Sequence, residues 1–181
     1  MPSNCKRLKS KEVYRNPWIW LTEDKVIAPN GRRLTFGVVH KKHFPLIIPC
    51  DGKYFTLIQQ YRYVVRSVSW EFPQGHVGTK TMLQAARAEL HEEAGWRANR
   101  IKYLKSFWIN PGLTDQICYI ILATGLIKVR SEPDPGEDIR ATKQVSLSQI
   151  DKMIADGSIK DGVTIAAINL FKICAKVLTA A

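Results

Sequence analysis

The 181-residue sequence contains only four cysteines, and their positions exclude two common uses of this residue. Cys5, Cys50, Cys118 and Cys174 are far apart and include no Cys-x-x-Cys pair. This spacing argues against a zinc site and offers no disulfide framework. Unpaired cysteines are typical of a reducing compartment, so we expect the protein to be cytoplasmic.

Long apolar runs are also missing from the sequence. No stretch reaches the roughly 20 consecutive apolar residues that cross a bilayer. The basic residues near the N-terminus are not followed by the apolar segment of a secretory signal. We therefore expect no membrane span and no membrane partner. No internal repeat or low-complexity linker divides the chain, whose length suits one main globular domain.

Acidic residues are scarce relative to basic ones. The chain has 27 Lys and Arg residues against 16 Asp and Glu residues, which gives a formal charge of +11. A solvated basic surface explains this charge as well as attraction for a polyanion does. No recognition helix, RNA-binding consensus or zinc-finger pattern accompanies the charge. The charge alone therefore does not choose between a small phosphate ester and a nucleic acid, and RNA is possible but not favoured as a partner.

The hydrophobic patterns predict an α+β protein in which strands come first. Short strand-like runs occur at residues 18–21, 25–28, 33–40, 44–49 and 54–61. Helical periodicity begins at residues 81–95, more strands follow, and two helices at 148–155 and 163–178 close the chain. Strands before and after one helix favour packed layers of sheet and helix.

The predicted helix at residues 81–95 carries an unusual group of acids. Thr81 and Gln84 have the spacing of a capping box, which predicts the helix start. Glu89, Glu92 and Glu93 then project from one side within a single turn. Three like charges near a helix C-terminus are unfavourable unless a cation compensates them, and carboxylates suit Mg²⁺ or, alternatively, Mn²⁺. The alternative is a solvated acidic face paired with Lys and Arg.

The run Glu-Leu-His-Glu-Glu-Ala-Gly-Trp at residues 89–96 resembles the signature of the Nudix hydrolase family. The resemblance implies a mixed β-sheet sandwiched between α-helices, with an N-terminal antiparallel β-sheet. It also implies that Glu89, Glu92 and Glu93 bind magnesium, that the Gln74 main-chain carbonyl contributes, and that Glu92 and Glu93 are catalytic. The match is incomplete, since Lys80 and Ala88 replace a glutamate and an arginine and the loop is one residue short. We interpret this as a paired loss that leaves the local charge balance unchanged.

Further motifs are similar to the ADP-ribose pyrophosphatase branch of that family. Gln59–Tyr63 and Trp70–Pro73 resemble the strands before the signature, which implies that Arg62 and Glu71 lie in the substrate site. The loop at Asn110–Asp115 resembles the branch's proline loop, which makes Pro111 a substrate-binding candidate. Glu137 matches an acidic loop that supplies a metal ligand or a general base. In each case a turn or a solvated acid is the alternative.

The resemblance implies magnesium-dependent hydrolysis of ADP-ribose or a nucleotide sugar to a nucleoside monophosphate and a sugar phosphate. Pro73-Gln74-Gly75 is also similar to the branch that acts on RNA 5′-pyrophosphates or dinucleoside polyphosphates, which is the first alternative. The second is a catalytically weak module that binds a nucleotide or RNA. We expect residues 46–181 to form the hydrolase domain and residues 1–45 to form a β segment within a homodimer interface.

Overall fold

The computed structural model describes residues 5–179, with side chains described as far as residue 175. The first four residues of the predicted N-terminal segment therefore lie outside the described residues. The chain divides into two compact units. The first contains Met1–His43 and Phe107–Ile117, and the second contains Phe44–Ser106 and Cys118–Ala181.

The first unit is built on a three-stranded antiparallel sheet. Its strands are β1 (Lys6–Arg15), β2 (Ile19–Ile27) and β3 (Arg33–Lys41), in the order β1-β2-β3. The β2–β3 turn contains Asn30 and Gly31, and Gly31 adopts a φ of 79° that favours glycine. The Leu113 carbonyl accepts a hydrogen bond from the Val39 amide at 2.9 Å, which ties the 107–117 segment to β3.

Two features of this sheet differ from the sequence-based expectation. Strand β1 was not predicted, because its residues are mostly charged and show no alternation; all ten are exposed. Strand β2 is continuous where two short runs were predicted. Asp24, in the polar middle of β2, accepts a hydrogen bond from the Ser10 hydroxyl at 2.5 Å, so β1 stabilises the segment that lacked an apolar pattern.

The second unit contains a mixed sheet with helices on both faces. Its strands are β4 (Phe44–Asp51), β5 (Tyr54–Arg62), β6 (Ser67–Glu71), β7 (Trp96–Trp108), β8 (Ile117–Lys128) and β9 (Ile139–Ser146). The order is β6-β5-β4-β8-β7, with β9 on β5; β4 and β8 run parallel. The helices are α1 (Met82–Ala94), α2 (Leu147–Ala155) and α3 (Gly162–Thr179).

The core of this unit explains why the helices lie on opposite faces. Ala86 and Leu90 of α1 pack on a buried cluster that includes Ile58 of β5. Phe55, an odd number of residues earlier on the same strand, faces the other side and contacts Phe171 of α3 with ring centroids 5.3 Å apart. The predicted α+β class, with a mixed sheet between helices and a separate antiparallel sheet, is confirmed.

Candidate active site

Helix α1 directs two of the predicted glutamates toward the interior. The Thr81 hydroxyl accepts a hydrogen bond from the Gln84 amide, and the Gln84 side chain accepts one from the Thr81 amide at 2.9 Å. This capping box confirms the predicted start, and Gly95 ends the helix at a φ of 66°. Glu89 and Glu93 lie one turn apart, so both side chains leave the helix on the same side.

A third carboxylate, from the loop before β9, completes a cluster with these two. Oxygen atoms of Glu89, Glu93 and Glu137 all lie within 4.8 Å of one another. Glu93 is 1% exposed and Glu89 is 9% exposed, while Glu137 is partly buried. Three carboxylates this close repel one another unless a proton or a cation is shared among them.

Glu92, the remaining glutamate of the predicted set, lies at the edge of this cluster. It is partly exposed and does not belong to the close group of three. Its charge nevertheless contributes to raising the pKa of Glu89. Its carbonyl accepts a hydrogen bond from the Glu132 amide at 3.1 Å, which fastens the acidic loop to the last turn of α1.

Gly75 lies directly against the cluster, where any side chain would displace the Glu89 carboxylate. A Cβ atom at this position would overlap the carboxylate of Glu89. The sequence singled out Gly75 only as part of a loop, since nothing in the sequence places it against a residue fourteen positions later. The glycine therefore allows the backbone to approach the Glu89 carboxylate closely.

Burial and mutual repulsion shift the titration of the cluster in the metal-free protein. Burial, followed by the charges of Glu137 and Glu92, raises the pKa of Glu89 to about 7. Burial and the Glu89 charge raise the pKa of Glu93 well above its ordinary value. Burial also raises the pKa of Glu137. All three groups would hold protons more tightly than free carboxylates unless a cation were present.

The two oxygens of Glu93 have different environments. Oε2 accepts a hydrogen bond from the Gln74 amide at 2.9 Å. Oε1 is buried and has no hydrogen-bond partner within residues 5–179. A buried carboxylate oxygen without a donor is unfavourable, whereas a bound cation would satisfy it. The donor set, which consists only of oxygen atoms, suits a hard divalent ion.

Arg62 and the buried Glu71 form an ion pair in the β5–β6 hairpin. Arg62 Nε donates to Glu71 Oε2 at 3.2 Å, and Arg62 Nη2 donates to Glu71 Oε1. The Glu71 side chain is 1% exposed, whereas that of Arg62 is 40% exposed. Burial raises the pKa of Glu71 to about 7, although Arg62 works in the opposite direction. The sequence named both residues but did not indicate that they pair.

The acidic loop is held at both of its ends. The Val129 amide donates to the Gly95 carbonyl at 3.0 Å, and the Tyr61 amide donates to the Asp138 carbonyl at 3.1 Å. Between them, the Glu137 amide donates to the Asp134 carbonyl at 2.9 Å. The backbone around Glu137 is therefore anchored to the segment after α1 and to β5, which explains how a distant loop reaches the helix carboxylates.

Pro111 lies in the first unit, in an exposed turn. The Leu113 and Thr114 amides both donate to the Asn110 carbonyl at 2.9 Å. At the end of the turn, the Asp115 carboxylate is hydrogen-bonded to His40 Nδ1 at 2.5 Å. The turn predicted for this motif is present, and its role in substrate binding stays a prediction.

Two residues behind the cluster were not selected as site residues from the sequence. Asp161 accepts hydrogen bonds from the Gln74 side chain at 3.3 Å and from the Thr164 amide at 2.8 Å. The Thr164 hydroxyl accepts from the Phe72 amide at 3.0 Å. Asp161 thus caps α3 and supports the loop that carries Gln74. The sequence feature that could have indicated this cap is an aspartate placed three residues before a threonine in the predicted helix.

Comparison with known proteins identifies the family. Residues 41–166 match the NUDIX domain, a span that covers more than half of the chain. The chain belongs to the NUDIX domain family. Residues 6–39 match the nucleoside diphosphate sugar hydrolase N-terminal domain, which corresponds to the three-stranded sheet. The protein is a Nudix hydrolase, and the family resemblance drawn from residues 89–96 is confirmed.

Several characterised proteins resemble this Nudix hydrolase along most of its length. The methanol dehydrogenase activator of Bacillus methanolicus is 26% identical over 172 residues, which cover 93% of this chain and 92% of that protein. The ADP-ribose pyrophosphatase of Bacillus subtilis is 24% identical over 172 residues, which cover 93% of this chain and 92% of that protein. That of Mycobacterium tuberculosis is 28% identical over 168 residues, covering 89% of this chain and 80% of the relative. The two ADP-ribose pyrophosphatases among these relatives agree with the predicted branch.

A solved structure supports the fold of the Nudix hydrolase. The crystal structure of an ADP compounds hydrolase matches it with a TM-score of 0.85, covering 98% of this chain and 97% of that one. At 20% sequence identity, this likeness establishes the fold. Among the described residues, no helix has the length and apolar character needed to span a membrane.

The structure shows what surrounds the two substitutions in the Nudix signature, Ala88 and Lys80. Arg87, next to the substituted Ala88, donates to the Ala98 carbonyl at 2.8 Å and ties α1 to β7. It therefore does not replace the missing arginine. Lys80, which stands where the family has a glutamate, lowers the pKa of Glu89 through its charge. Lys80 thus favours the ionised carboxylate that a cation requires.

Proposed function

We propose that this Nudix hydrolase cleaves the pyrophosphate link of ADP-ribose or another nucleoside diphosphate sugar. Water and the substrate would yield a nucleoside monophosphate and a sugar phosphate. The observation that carries the proposal is the Glu89, Glu93 and Glu137 cluster. The match of residues 6–39 to the nucleoside diphosphate sugar hydrolase N-terminal domain supports the substrate class.

The carboxylates fit the divalent cation that the family implies. The unpartnered Oε1 of Glu93 and the close approach of Glu89 and Glu137 are the features a cation would satisfy. We assign Mg²⁺, with Mn²⁺ as the alternative, to Glu89 and Glu93 of this cluster. Glu92, at the edge of the cluster, and the Gln74 carbonyl are the further ligands that the family resemblance implies. When bound, the ion would polarise a phosphoryl oxygen and lower the pKa of a coordinated water.

Arg62 would orient the pyrophosphate. Its bidentate pair with buried Glu71 uses Nε and Nη2 and fixes the plane of the guanidinium. The other terminal nitrogen, Nη1, would donate to a phosphate oxygen and offset its charge. Glu71 therefore acts through Arg62. Pro111, by resemblance, would contribute to the substrate-binding surface.

Glu137 would position the attacking water and accept its proton. Its carboxylate is partly buried and lies within 4.8 Å of those of Glu89 and Glu93. Beside a bound cation it would stay ionised at neutral pH, as a group that positions a water or accepts its proton must be. The Glu92 and Glu93 carboxylates would maintain the negative environment that retains the cation beside this water.

A product assay against a substrate panel tests the proposal. ADP-ribose, nucleotide sugars, dinucleoside polyphosphates and 5′-triphosphate RNA would be incubated with the protein and Mg²⁺, and the products would be resolved by chromatography. We expect nucleoside monophosphate and sugar phosphate from the first two classes. Turnover only of the last two classes would contradict the assigned substrate.

A second substrate class is favoured by one observation. Strand β1 is exposed along its whole length and carries five basic residues, Lys6, Arg7, Lys9, Lys11 and Arg15. Such a strand would attract a long polyanion, including RNA. If RNA is the substrate, raising the salt concentration should weaken its turnover steeply while affecting ADP-ribose much less.

We also propose that residues 1–45 contribute to a homodimer interface. The three-stranded sheet exposes the large apolar side chains of Leu8, Tyr14 and Phe36, and the turn between β1 and β2 exposes Trp18. Exposed apolar residues on an edge strand favour pairing with another copy. Light scattering at micromolar concentration should give the mass of two chains. A single-chain mass would contradict the proposal.

A further inference from the structure

Strand β9 has one more residue than its partner β5 at its start, directly after the acidic loop. Gln59 of β5 pairs with Ala141, and the next residue, Gln60, pairs with Ile139. Arg140 is therefore the extra residue of a β-bulge. Bulges are common beside active sites, where they redirect side chains.

The bulge changes the face of the sheet that the residues before it reach. In a regular strand, positions 139 and 141 lie on the same face. Here Ala141 lies opposite Gln59, which faces α3 as Phe55 does, four residues earlier on β5. Ile139 instead packs on the buried cluster beneath α1. The extra residue has thus moved Ile139 to the other face, as a register slip of one residue does.

The two acids that precede Ile139 lie on opposite faces as a result. The Tyr61 amide donates to the Asp138 carbonyl at 3.1 Å, which continues the pairing beyond the strand. Arg140 Nε and Nη2 donate to the Asp138 carboxylate at 3.1 and 2.9 Å, and the guanidinium lies 5.5 Å from the centroid of the Tyr61 ring. Asp138 is therefore held on the face toward α3. Glu137, one residue earlier, reaches the carboxylate cluster on the other face.

The register at Arg140 thus decides which of two adjacent acids joins the cluster. We propose that Arg140 is a positioning residue whose bulge directs Glu137, rather than Asp138, toward Glu89 and Glu93. Its side chain holds Asp138 on the opposite face. The proposal rests on the role given to Glu137 in the proposed function. Without the extra residue, the alternation of the strand would direct Asp138 to the cluster instead.

The affinity for Mg²⁺, measured by calorimetry on metal-free protein, tests this placement without catalysis. In the wild-type register, Glu137→Gln should weaken binding at least about tenfold, because it removes a unit charge about 5 Å from the ion. Asp138→Asn removes an exposed charge on the other face and should change the affinity less than about twofold. In a variant that lacks Arg140, Asp138→Asn should become the damaging change and Glu137→Gln the harmless one. Retention of the wild-type order in the folded deletion variant would overturn the proposal.

A second variant tests the same reversal without altering the strand. One alanine inserted between Asp138 and Ile139 leaves every β5–β9 pair intact and moves Asp138 to the position that now belongs to Glu137. The insertion lies in a loop, where added length is tolerated, so it decides the matter where the deletion variant does not fold. Asp138→Glu in the insertion variant should strengthen Mg²⁺ binding, because it restores the length of the side chain. An insertion variant that still depends on Glu137 would overturn the proposal.

The contribution of the Arg140 side chain has a matched control. Arg140→Met keeps the extra residue but loses the Asp138 pair and the ring contact, and Mg²⁺ binding should weaken about threefold, the size of an exposed ion pair. Arg15 makes the same two kinds of contact in β1, with Glu12 and with the Trp20 ring. Arg15→Met should leave the affinity unchanged. Equal affinities for both variants would contradict the role of the Arg140 side chain.

Thiol labelling separates this proposal from the proposed function. The Asp138 side chain is 50% exposed, whereas Glu137 is partly buried. Asp138→Cys should therefore react with a maleimide faster than Glu137→Cys, as read by mass spectrometry of peptides, and the alanine insertion should reverse the order. If Mg²⁺ does not bind or ADP-ribose is not hydrolysed, the proposed function fails, and the labelling order still decides the placement. An order that the insertion leaves unchanged would overturn it.

Discussion

The first unit, with its three-stranded sheet, and the second unit are both rich in β structure, yet they are stabilised differently. The second unit, Phe44–Ser106 and Cys118–Ala181, is called the Nudix unit below. Within the described part of the first unit, Val26 is the one fully buried apolar residue, whereas the Nudix unit buries a continuous set around Ile47, Ile58 and Leu90. Strand β1 relies on backbone pairing and on polar contacts such as Ser10 with Asp24.

This difference indicates where function and stability originate. A small sheet with so little apolar burial is marginal unless another surface covers it. The Nudix unit has enough core to hold three repelling carboxylates close together, because packing on both faces of the sheet offsets that cost. Changes in the Nudix unit should therefore have large effects, and equivalent changes in β1 should have small ones.

The largest effect is expected from truncation in the core. Leu90, 1% exposed, packs against the sheet beneath α1, and Leu90→Ala should lower the free energy of unfolding by about 2–5 kcal/mol. The control is Leu8→Ala in β1, where the side chain is 48% exposed and the change should stay within about 0.5 kcal/mol. Urea unfolding measures both. Equal losses would refute the contrast between the units.

Removing one charge from the cluster should affect catalysis rather than folding. Glu93→Gln should lower kcat on ADP-ribose on the order of a hundredfold or more, the size typical of a lost electrostatic contact. Glu12→Gln, which breaks an exposed pair with Arg15 in β1, should leave kcat unchanged. Circular dichroism checks that both variants fold. Retention of full activity by Glu93→Gln would eliminate the assigned role of Glu93.

A smaller effect is expected within the acidic loop. Glu137 lies in the cluster, whereas Glu132 is exposed and contributes a backbone hydrogen bond to Glu92. Glu137→Gln should lower kcat at least about tenfold, at the lower end of general-base contributions. Glu132→Gln should cost little. The reverse order would show that the other glutamate supplies the catalytic carboxylate.

The smallest expected effect is on the pH dependence of thermal stability in the metal-free protein. The pKa of Glu89 is about 7 in the fold and near its ordinary value when unfolded, so the folded state binds more protons between these limits. The stabilisation of the fold by protonated Glu89 is fully present below the pKa of the unfolded state. It is lost as the pH rises through the pKa of the folded state, about 7. Thermal unfolding in EDTA should show a flatter dependence for Glu89→Gln than for the wild type. Identical slopes would contradict the shift.

The local features of the site were predictable from the sequence because they depend on short spacing. Thr81 and Gln84 specify the start of α1, and the four-residue interval between Glu89 and Glu93 places both on one side of the helix. The assignment of Glu137 required resemblance to a family, because a glutamate in a proline-rich loop has no local feature that directs it to a helix more than forty residues away.

The features that depend on pairing between distant segments were not predictable. The register of β5 on β6 places Arg62 opposite Ser67 and Glu71 opposite Ile58. The Arg62–Glu71 pair therefore joins residues that are not direct strand neighbours, and the strand pattern does not indicate it. The contact of Gly75 with Glu89 depends on the path of the loop over α1. Strand β1 forms through its partner β2, since its charged residues have no pattern of their own.

The most direct test of the cation site is a calorimetric titration of EDTA-treated protein with Mg²⁺, repeated with Mn²⁺. The carboxylate cluster should give saturable binding that restores ADP-ribose hydrolysis in parallel, and Glu93→Gln should lose both. Hydrolysis that persists in EDTA, or metal binding that is unchanged in Glu93→Gln, would contradict the assignment of the cation to this cluster.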